Sequence, residues 1–328
     1  MRKQRWTIAL FLILFTVALY SSLYYKMIFG AAHHDRHVTV ILKSLNVRQD
    51  FWQAVNKGAE AAAKEMGAEL TVAGPLQEGD VNDQIRILEQ EIDRKPDAIV
   101  VAPLIDDRMP GILAKVRSAG IRLVVIDTPP DMKPAPVVVS NDHVEAGRLA
   151  GETSLTETNN RPIIAIISDA PESQISQQRL EGLKQSLAGN KESANEIYYA
   201  GNSEDKAYAI AKRLLIQDKP FNTFITLNES ATLGVAKLLE EQQKADVIHL
   251  IGFDSSVDEI QLLESGTLNA AIVQKPFNMG YLGVKTALRL IDRKKVAPAT
   301  YIESNVITKL NMYTPENQKL LFPFINNK

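Results

Sequence analysis

The chain contains no cysteine among its 328 residues. That absence excludes disulfides, thiolate metal sites, cysteine nucleophiles and a lipid-modified cysteine at a processed N-terminus. The chain also lacks an excess of charge of one sign, since 37 Lys and Arg balance 39 Asp and Glu to a net charge of −2. Because there is no basic excess to neutralise phosphates, nucleic acid is not expected as a partner.

Several sequence motifs of enzymes are missing as well. The chain has no G-x-x-x-x-G-K-[ST] loop, no G-x-G-x-x-G after its first predicted strand, no H-E-x-x-H and no G-x-S-x-G. Its histidines are His33, His34, His37, His143 and His249. The first three are close in sequence but lack a fourth ligand, so we expect a solvated stalk there and no metal site. The sequence predicts a protein that is not an enzyme and has no cofactor, with a hydrolase as the alternative.

The start of the chain is sharply divided by charge and hydropathy. Three basic residues among the first five positions precede an uncharged, mostly apolar run from Thr7 to Tyr25, about the ~20 residues that a helix needs to cross a bilayer. The basic flank places the N-terminus in the cytoplasm. We predict that residues 1–29 are an uncleaved single-pass membrane anchor, that 30–37 are a tether, and that the remainder is extracytoplasmic. A cleaved secretory signal peptide is the competing interpretation.

From residue 38 onward, short β-branched runs alternate with amphipathic helical patterns. The pattern predicts nine strands, at 38–42, 70–72, 98–101, 123–126, 163–167, 197–199, 223–227, 247–251 and 268–273. Strands that are buried on both faces and separated by helices favour parallel sheets built from right-handed βαβ units. Because so many units exceed one comfortable open sheet, we predict an α/β protein with two doubly wound parallel-sheet lobes.

Polar and aromatic side chains lie where predicted strands end, which is where open α/β sheets bind ligands. The positions are Lys43, Phe51, Trp52, Asp127, Gln177, Asn228, Asp254 and Gln274. Carboxylates and amides form paired hydrogen bonds with neighbouring hydroxyls, and aromatic faces stack on apolar C–H faces. A sugar offers both kinds of surface, so we interpret these positions as a sugar-binding site.

These residues also have structural explanations that the sequence leaves open. Phe51 and Trp52 lie on the first predicted helix, where one of the pair could belong to the core. Asp127 precedes two prolines and could cap a turn. Asn228 and Asp254 could each cap the helix that follows.

A series of short motifs follows in a fixed order along residues 38–310. They are Ser44-Leu45-Asn46, Phe51-Trp52, Val125-Ile126-Asp127, Asn141-Asp142, Arg179-Leu180-Glu181-Gly182, Asn228-Glu229, Gly252-Phe253-Asp254 and Ala270-Ala271-Ile272-Val273-Gln274. Their order and spacing resemble the periplasmic sugar-binding proteins of the ribose-binding type, which have the type I periplasmic-binding fold. The resemblance implies two lobes that close on a sugar and are joined by three hinge crossings. It divides the chain into 38–141 with 275–304 as the first lobe, and 142–274 with 305–328 as the second.

The resemblance also implies roles for individual residues. Phe51 and Trp52 resemble aromatic walls, Lys43 stands at a small polar contact, Arg179 is expected to support the site, and the hydroxyl-binding residues would be Asp127, Asn228, Asp254 and Gln274. Three positions depart from the family pattern: Thr128 and Gln177 stand where arginines are usual, and Asn202 stands near a usual aromatic. Because two cations and one ring are replaced, we expect a pentose or a related monosaccharide and not ribose in particular.

The predicted anchor and tether indicate what kind of partner protein reads the sugar-binding domain. Eight tether residues reach at most roughly 25 Å when extended, which suggests a fixed neighbour in the membrane. An anchored xylose-binding protein paired with a sensor histidine kinase is the arrangement that this chain resembles, so we expect a sensor subunit. The substrate-binding subunit of an ABC sugar importer, working with a permease, is the alternative. A LacI-type repressor is disfavoured because the apolar run occupies the place of its DNA-reading helix-turn-helix.

Overall fold

A computed structural model of the chain describes residues 15–17, 19–21, 36–46, 50–189, 196–217 and 220–322. The predicted anchor at 1–29 and the tether at 30–37 lie largely outside these residues. Within the described part, no helix combines the length and the apolar character needed to cross a membrane.

Twelve strands and ten helices make up the described part of the chain from residue 36 onward. The strands are β1 (His37–Ile41), β2 (Glu69–Ala73), β3 (Ala98–Val101), β4 (Arg122–Ile126), β5 (Val137–Asn141), β6 (Ile164–Ser168), β7 (Glu196–Tyr199), β8 (Thr223–Thr226), β9 (His249–Phe253), β10 (Ala270–Val273), β11 (Ala299–Ile302) and β12 (Asn305–Thr308). The helices are α1 (Asp50–Met66), α2 (Val81–Arg94), α3 (Met109–Ser118), α4 (His143–Glu157), α5 (Gln174–Leu187), α6 (Glu204–Ile216), α7 (Glu229–Glu241), α8 (Val257–Ser265), α9 (Pro276–Ile291) and α10 (Pro315–Leu321).

The strands form two six-stranded sheets with the same plan. The first has the order β11-β5-β4-β3-β1-β2, and the second has the order β12-β10-β9-β8-β6-β7. Neighbouring strands are parallel throughout the first sheet, whereas β12 runs antiparallel to β10 in the second. This architecture confirms the predicted α/β fold with two sheets.

The chain passes between the sheets three times: from β5 to α4, from β10 to α9, and from β11 to β12. We call the first sheet with α1–α3 and α9 lobe 1, and the second sheet with α4–α8 and α10 lobe 2. The residue limits predicted for the lobes stay a prediction.

The cores of both lobes follow from continuous apolar strands covered on two faces. All four residues of β3 and all five of β6 are buried, as expected for parallel strands with helices on both sides. On lobe 1, α1 contributes Val55, Ala59 and Ala62, which are fully buried and share one helical face. The sheets are therefore rigid platforms whose carboxyl ends carry the candidate site.

The contact between α4 and α5 is a backbone-to-backbone approach that only glycine permits. A Cβ atom on Gly147 would overlap the backbone carbonyl of Arg179, and one on Gly182 would overlap that of Val144. The two helices can therefore lie this close only because neither position carries a side chain. This packing fixes Arg179 against the first turns of α4.

Candidate functional site

Two aspartates lie at matching points of the two sheets. Asp127 directly follows β4 and Asp254 directly follows β9, and each strand is third from the corresponding end of its sheet. Their φ angles are 67° and 83°, a left-handed conformation that aspartate and asparagine adopt more readily than most residues. Their backbone N–H groups donate to Val139 and Ile272 of the adjoining strands at 3.1 and 3.2 Å. The fold therefore fixes one carboxylate at the carboxyl end of each sheet.

In lobe 1, Lys43 forms a buried ion pair with Asp127. The Lys43 Nζ atom lies 2.6 Å from Asp127 Oδ2, and Thr128 donates its hydroxyl to the same oxygen at 3.1 Å. Burial by itself would raise the pKa of the Asp127 carboxyl, but the charge and hydrogen bond of Lys43 outweigh it and the pKa is lowered. Asp127 is therefore ionised at neutral pH although it is almost fully buried.

Gln274 links the two lobes through its amide. Its Nε2 atom donates to Asp254 Oδ1 at 2.6 Å, and its Oε1 atom accepts from Nδ2 of Asn141, the last residue of β5. A chain of hydrogen bonds thus runs from lobe 1 through the second crossing to the aspartate of lobe 2. Asp254 itself does not cap α8, because Ser256 and Glu259 form the capping box there.

Asn228 has the capping role that the sequence left open. It is the N-cap of α7, where its Oδ1 atom accepts from the backbone N–H of Ala231 at 2.8 Å. Its amide nitrogen donates to Oδ1 of Asn202 at 3.2 Å. The structure thus brings Asn202 and Asn228 together, with Asn202 exposed and Asn228 half-buried.

The two aromatic residues of α1 differ in burial. Trp52 is buried and packs in the lobe 1 core, and its indole N–H donates to Glu78 at 3.3 Å. Phe51 is half-buried, with its ring edge-on to the indole at a centroid distance of 4.9 Å. Lys43 Nζ lies 5.8 Å from the centre of the indole ring, so the aromatic pair adjoins the ion pair.

Gln177 and Arg179 lie on opposite faces of α5. Gln177 is exposed and its side chain donates to the backbone carbonyl of Pro171 at 2.7 Å. Arg179 is buried. Residues two apart on a helix differ by about 200° in direction, so only one of them can point into the protein. Arg179 therefore belongs to the cluster around the aspartates, whereas Gln177 lies outside it.

The buried guanidinium of Arg179 interacts electrostatically with both aspartates. Its Nη1 atom donates to the carbonyl of Leu227 at 2.6 Å, and its guanidinium carbon lies 4.1 Å from the ring centre of Phe253. Burial lowers the pKa of the guanidinium, and the charges of Asp254 and Asp127 oppose that shift. Sequence reasoning gave Arg179 only a supporting role. The glycine three residues later marks the packed face of α5 and is the signal that could have pointed to it.

The described residues offer no group of three or more His, Asp or Glu side chains arranged to hold a metal ion. Of the three histidines near the predicted tether, His37 contacts Thr71, with 2.8 Å between Nε2 and Oγ1, and His33 and His34 lie outside the described residues. A cavity of about 800 Å³ lies elsewhere, between the start of α9 and α10. Its lining includes none of the predicted site residues.

Comparison with known proteins agrees with this geometry. The D-ribose/D-allose-binding protein of Pseudomonas aeruginosa is 28% identical over 265 residues, covering 77% of this chain and 82% of the relative. The structure of GanP, a glucose-galactose binding protein from Geobacillus stearothermophilus, is similar with a TM-score of 0.77 at 28% identity, covering 86% of this chain and all of that one. A carbohydrate transporter solute binding protein from Agrobacterium radiobacter, solved with D-arabinose, gives a TM-score of 0.76 at 26% identity, with 88% and 100% covered. Residues 38–295 match the sequence profile of the periplasmic binding protein domain, and the chain belongs to that family.

Proposed function

We propose that this protein binds a monosaccharide between its two lobes and does no chemistry on it. The observation that carries the proposal is the pair of aspartates at matching strand ends, Asp127 and Asp254, whose charges both act on the buried Arg179. Fixed carboxylate and amide groups are suited to the paired hydroxyls of a sugar. A buried site that hydrogen-bonds each hydroxyl rejects an epimer by leaving a polar group unpaired.

The ligand is of the pentose type or a closely related aldose. Relatives carry the names of D-ribose and D-allose binders, and similar structures hold D-arabinose and D-fucose. Thr128, Gln177 and Asn202 depart from the ribose-binding pattern, which supports a relative of ribose as the ligand.

Binding shifts an equilibrium between open and closed lobes. Only the closed arrangement brings the groups of both sheets to one ligand, so the ligand favours that state by the contacts that it gains there. The three crossings are the positions at which the backbone absorbs the motion.

The binding domain is extracytoplasmic and is held at the membrane by residues 1–29. The uncharged run at 7–25 with its basic flank supports the anchor. The partner that reads lobe closure is a membrane protein such as a sensor histidine kinase, which the short tether favours. An ABC permease is the alternative, and relatives described as ABC transporter components support it.

The test of sugar binding is calorimetry on the full-length protein in mild detergent, with D-ribose, D-allose, D-arabinose and D-galactose. The variant Asp254→Asn keeps the tolerance for positive φ but removes the charge, so affinity should fall by roughly 10- to 100-fold, on the scale of one charged hydrogen bond. Asp258→Asn is the matched control, since that carboxylate is exposed on the first turn of α8. If no sugar binds, or if Asp254→Asn binds as tightly as the control, the proposal is wrong.

The test of the anchor and the partner is made in native membranes. The anchor predicts that the protein stays in the membrane pellet after alkaline carbonate extraction, and a carbonate-soluble protein would contradict it. Crosslinking followed by mass spectrometry then distinguishes a histidine kinase from a permease.

A further inference from the structure

His143 is a buried histidine that takes no part in the ion pair or in the chain of hydrogen bonds of the candidate site. It is the first residue of α4, immediately after the first crossing between the lobes. Its side chain is 3% exposed, and neither ring nitrogen has a hydrogen-bond partner within the described part of the chain. Buried polar groups are normally satisfied, so two unsatisfied nitrogens on one ring point to an interaction with something other than these residues.

Charged groups of the candidate site act on the ring from both sides of the first crossing. They are Arg179 on α5, and Asp127 and Lys43 at the strand ends of lobe 1. The close packing of α4 on α5 at Gly147 and Gly182 holds the helix of His143 against the helix of Arg179. His143 therefore lies at the junction of the two lobes, among the groups that the proposed function assigns to the sugar.

The same surroundings keep the imidazole neutral. Burial and the positive charge of Arg179 lower the pKa of His143 to about 4, with Lys43 acting in the same direction and Asp127 opposing it. A neutral imidazole has one nitrogen that donates and one that accepts. A hydroxyl group has the same pair of functions, so an uncharged polyol satisfies both nitrogens without bringing a new charge beside two cations.

We propose that His143 is a ligand-binding residue that contacts hydroxyl groups of the bound sugar through both ring nitrogens. The inference rests on the proposed function. It adds to the predicted site a residue that directly follows a crossing between the lobes, so the sugar is held next to that crossing.

The experiment compares three variants of the full-length protein by calorimetry with D-ribose, D-allose, D-arabinose and D-galactose. His143→Ala should bind at least about tenfold more weakly, and His143→Asn, whose amide both donates and accepts, should recover part of the loss. His249→Asn is the matched control. His249 is half-buried in lobe 2 at the amino end of β9, away from the carboxyl strand ends, and contacts Asn269 at 3.3 Å. Its replacement should leave affinity unchanged.

A second measurement does not depend on how the variants fold. In the wild-type protein labelled with ¹⁵N-histidine, the bound sugar should shift both ring nitrogens of His143 and leave those of His249 in place. Either of two results would overturn the inference while the proposed function stands. One is an affinity of His143→Ala within about twofold of wild type. The other is that the His143 resonances do not shift when a sugar that is shown to bind is added. If the wild-type protein binds none of the four sugars, the proposed function fails and this inference fails with it.

Discussion

Replacing Lys43 by methionine should destabilise the folded protein strongly, because Asp127 would remain buried without its cation. The Nζ and Oδ2 atoms are 2.6 Å apart, and the side chains are 11% and 7% exposed. Two unit charges at that distance attract by about 6 kcal/mol at an effective dielectric constant of about 20, and the cost of desolvating both ions cancels much of this. Removing one member of such a pair typically costs about 3–5 kcal/mol, and we expect that loss in free energy of unfolding.

The assay is calorimetric unfolding without sugar at neutral pH. At about 2 °C per kcal/mol, the Lys43→Met midpoint should fall by roughly 6–10 °C. Lys115→Met is the matched control, because Lys115 and its partner Glu89 are 3.5 Å apart with side chains 63% and 53% exposed. An exposed pair of this kind contributes at most about 1 kcal/mol.

A double variant separates the lost attraction from the lost side chain. Adding Asp127→Asn to Lys43→Met removes the unpaired buried charge and keeps a residue that tolerates the φ of 67°. Most of the lost stability should therefore return. A Lys43→Met midpoint within about 2 °C of wild type, or a double variant no more stable than the single one, would refute the reasoning.

The pH dependence of the same variant has a defined sign. The pKa of Asp127 in the folded protein is lowered, so its stabilising contribution is present above the unfolded value of about 3.9 and is lost as pH falls below it. In Lys43→Met, burial without the cation raises that pKa instead. The penalty of the variant should therefore be largest at neutral pH and shrink as pH falls toward about 4.

Three further predictions concern single residues. Burial, reinforced by the charge of Asp254, raises the pKa of Glu259 well above its usual value. In urea unfolding, wild type should therefore lose stability as pH rises above about 4.3, and Glu259→Gln should lose less stability than wild type between about pH 5 and pH 8. Equal losses in the two proteins would contradict this. Gly182→Ala should cost about 1–3 kcal/mol because its Cβ would overlap a backbone carbonyl. The matched control is Gly111→Ala, whose Cβ atom meets nothing within 4 Å and whose free energy of unfolding should rise by up to about 1 kcal/mol. Equal changes in the two glycine variants would count against the close packing of α4 on α5. In a Trp6→Phe background, sugar should change the emission of buried Trp52, and constant emission alongside a calorimetric binding signal would show that the indole does not sense the ligand.

Each of the nine predicted strands corresponds to a strand of the structure, including β2 and β7, which are only partly buried. The strands β5, β11 and β12 and the helix α10 were not predicted. The two sheet-edge strands among them, β11 and β12, are four residues long and only partly buried. They lack the continuous apolar run on which the prediction relied. Their existence depends on pairing with β5 and β10 across the chain, which no local pattern encodes.

The residues of the candidate site also fall into those that a sequence rule can identify and those whose position depends on packing. The rule that ligands bind at the carboxyl ends of parallel strands predicted Lys43, Asp127, Asp254 and Gln274 as ligand-binding residues. Their binding role stays a prediction, and the structure gives each of them a polar partner within the cluster. Arg179 lies on a helix, and its burial beside the site depends on the packing of α4 on α5. Sequence spacing alone could not reveal that contact.

The charges of the cluster bear on the class of ligand. Two cations, Lys43 and Arg179, face the carboxylates of Asp127 and Asp254, and the charge of Asp169 also acts on Arg179. Burial of Asp169 is outweighed by its hydrogen bonds, the strongest from Ser176, so the pKa of this carboxyl is lowered. Burial and the charge of Asp254 raise the pKa of Glu259. A ligand with a phosphate would bring further negative charge to desolvated carboxylates, which is expensive. An uncharged ligand rich in hydroxyls adds no charge and uses the oriented oxygen and nitrogen atoms as partners, so the cluster favours a sugar over a metabolite with a phosphate.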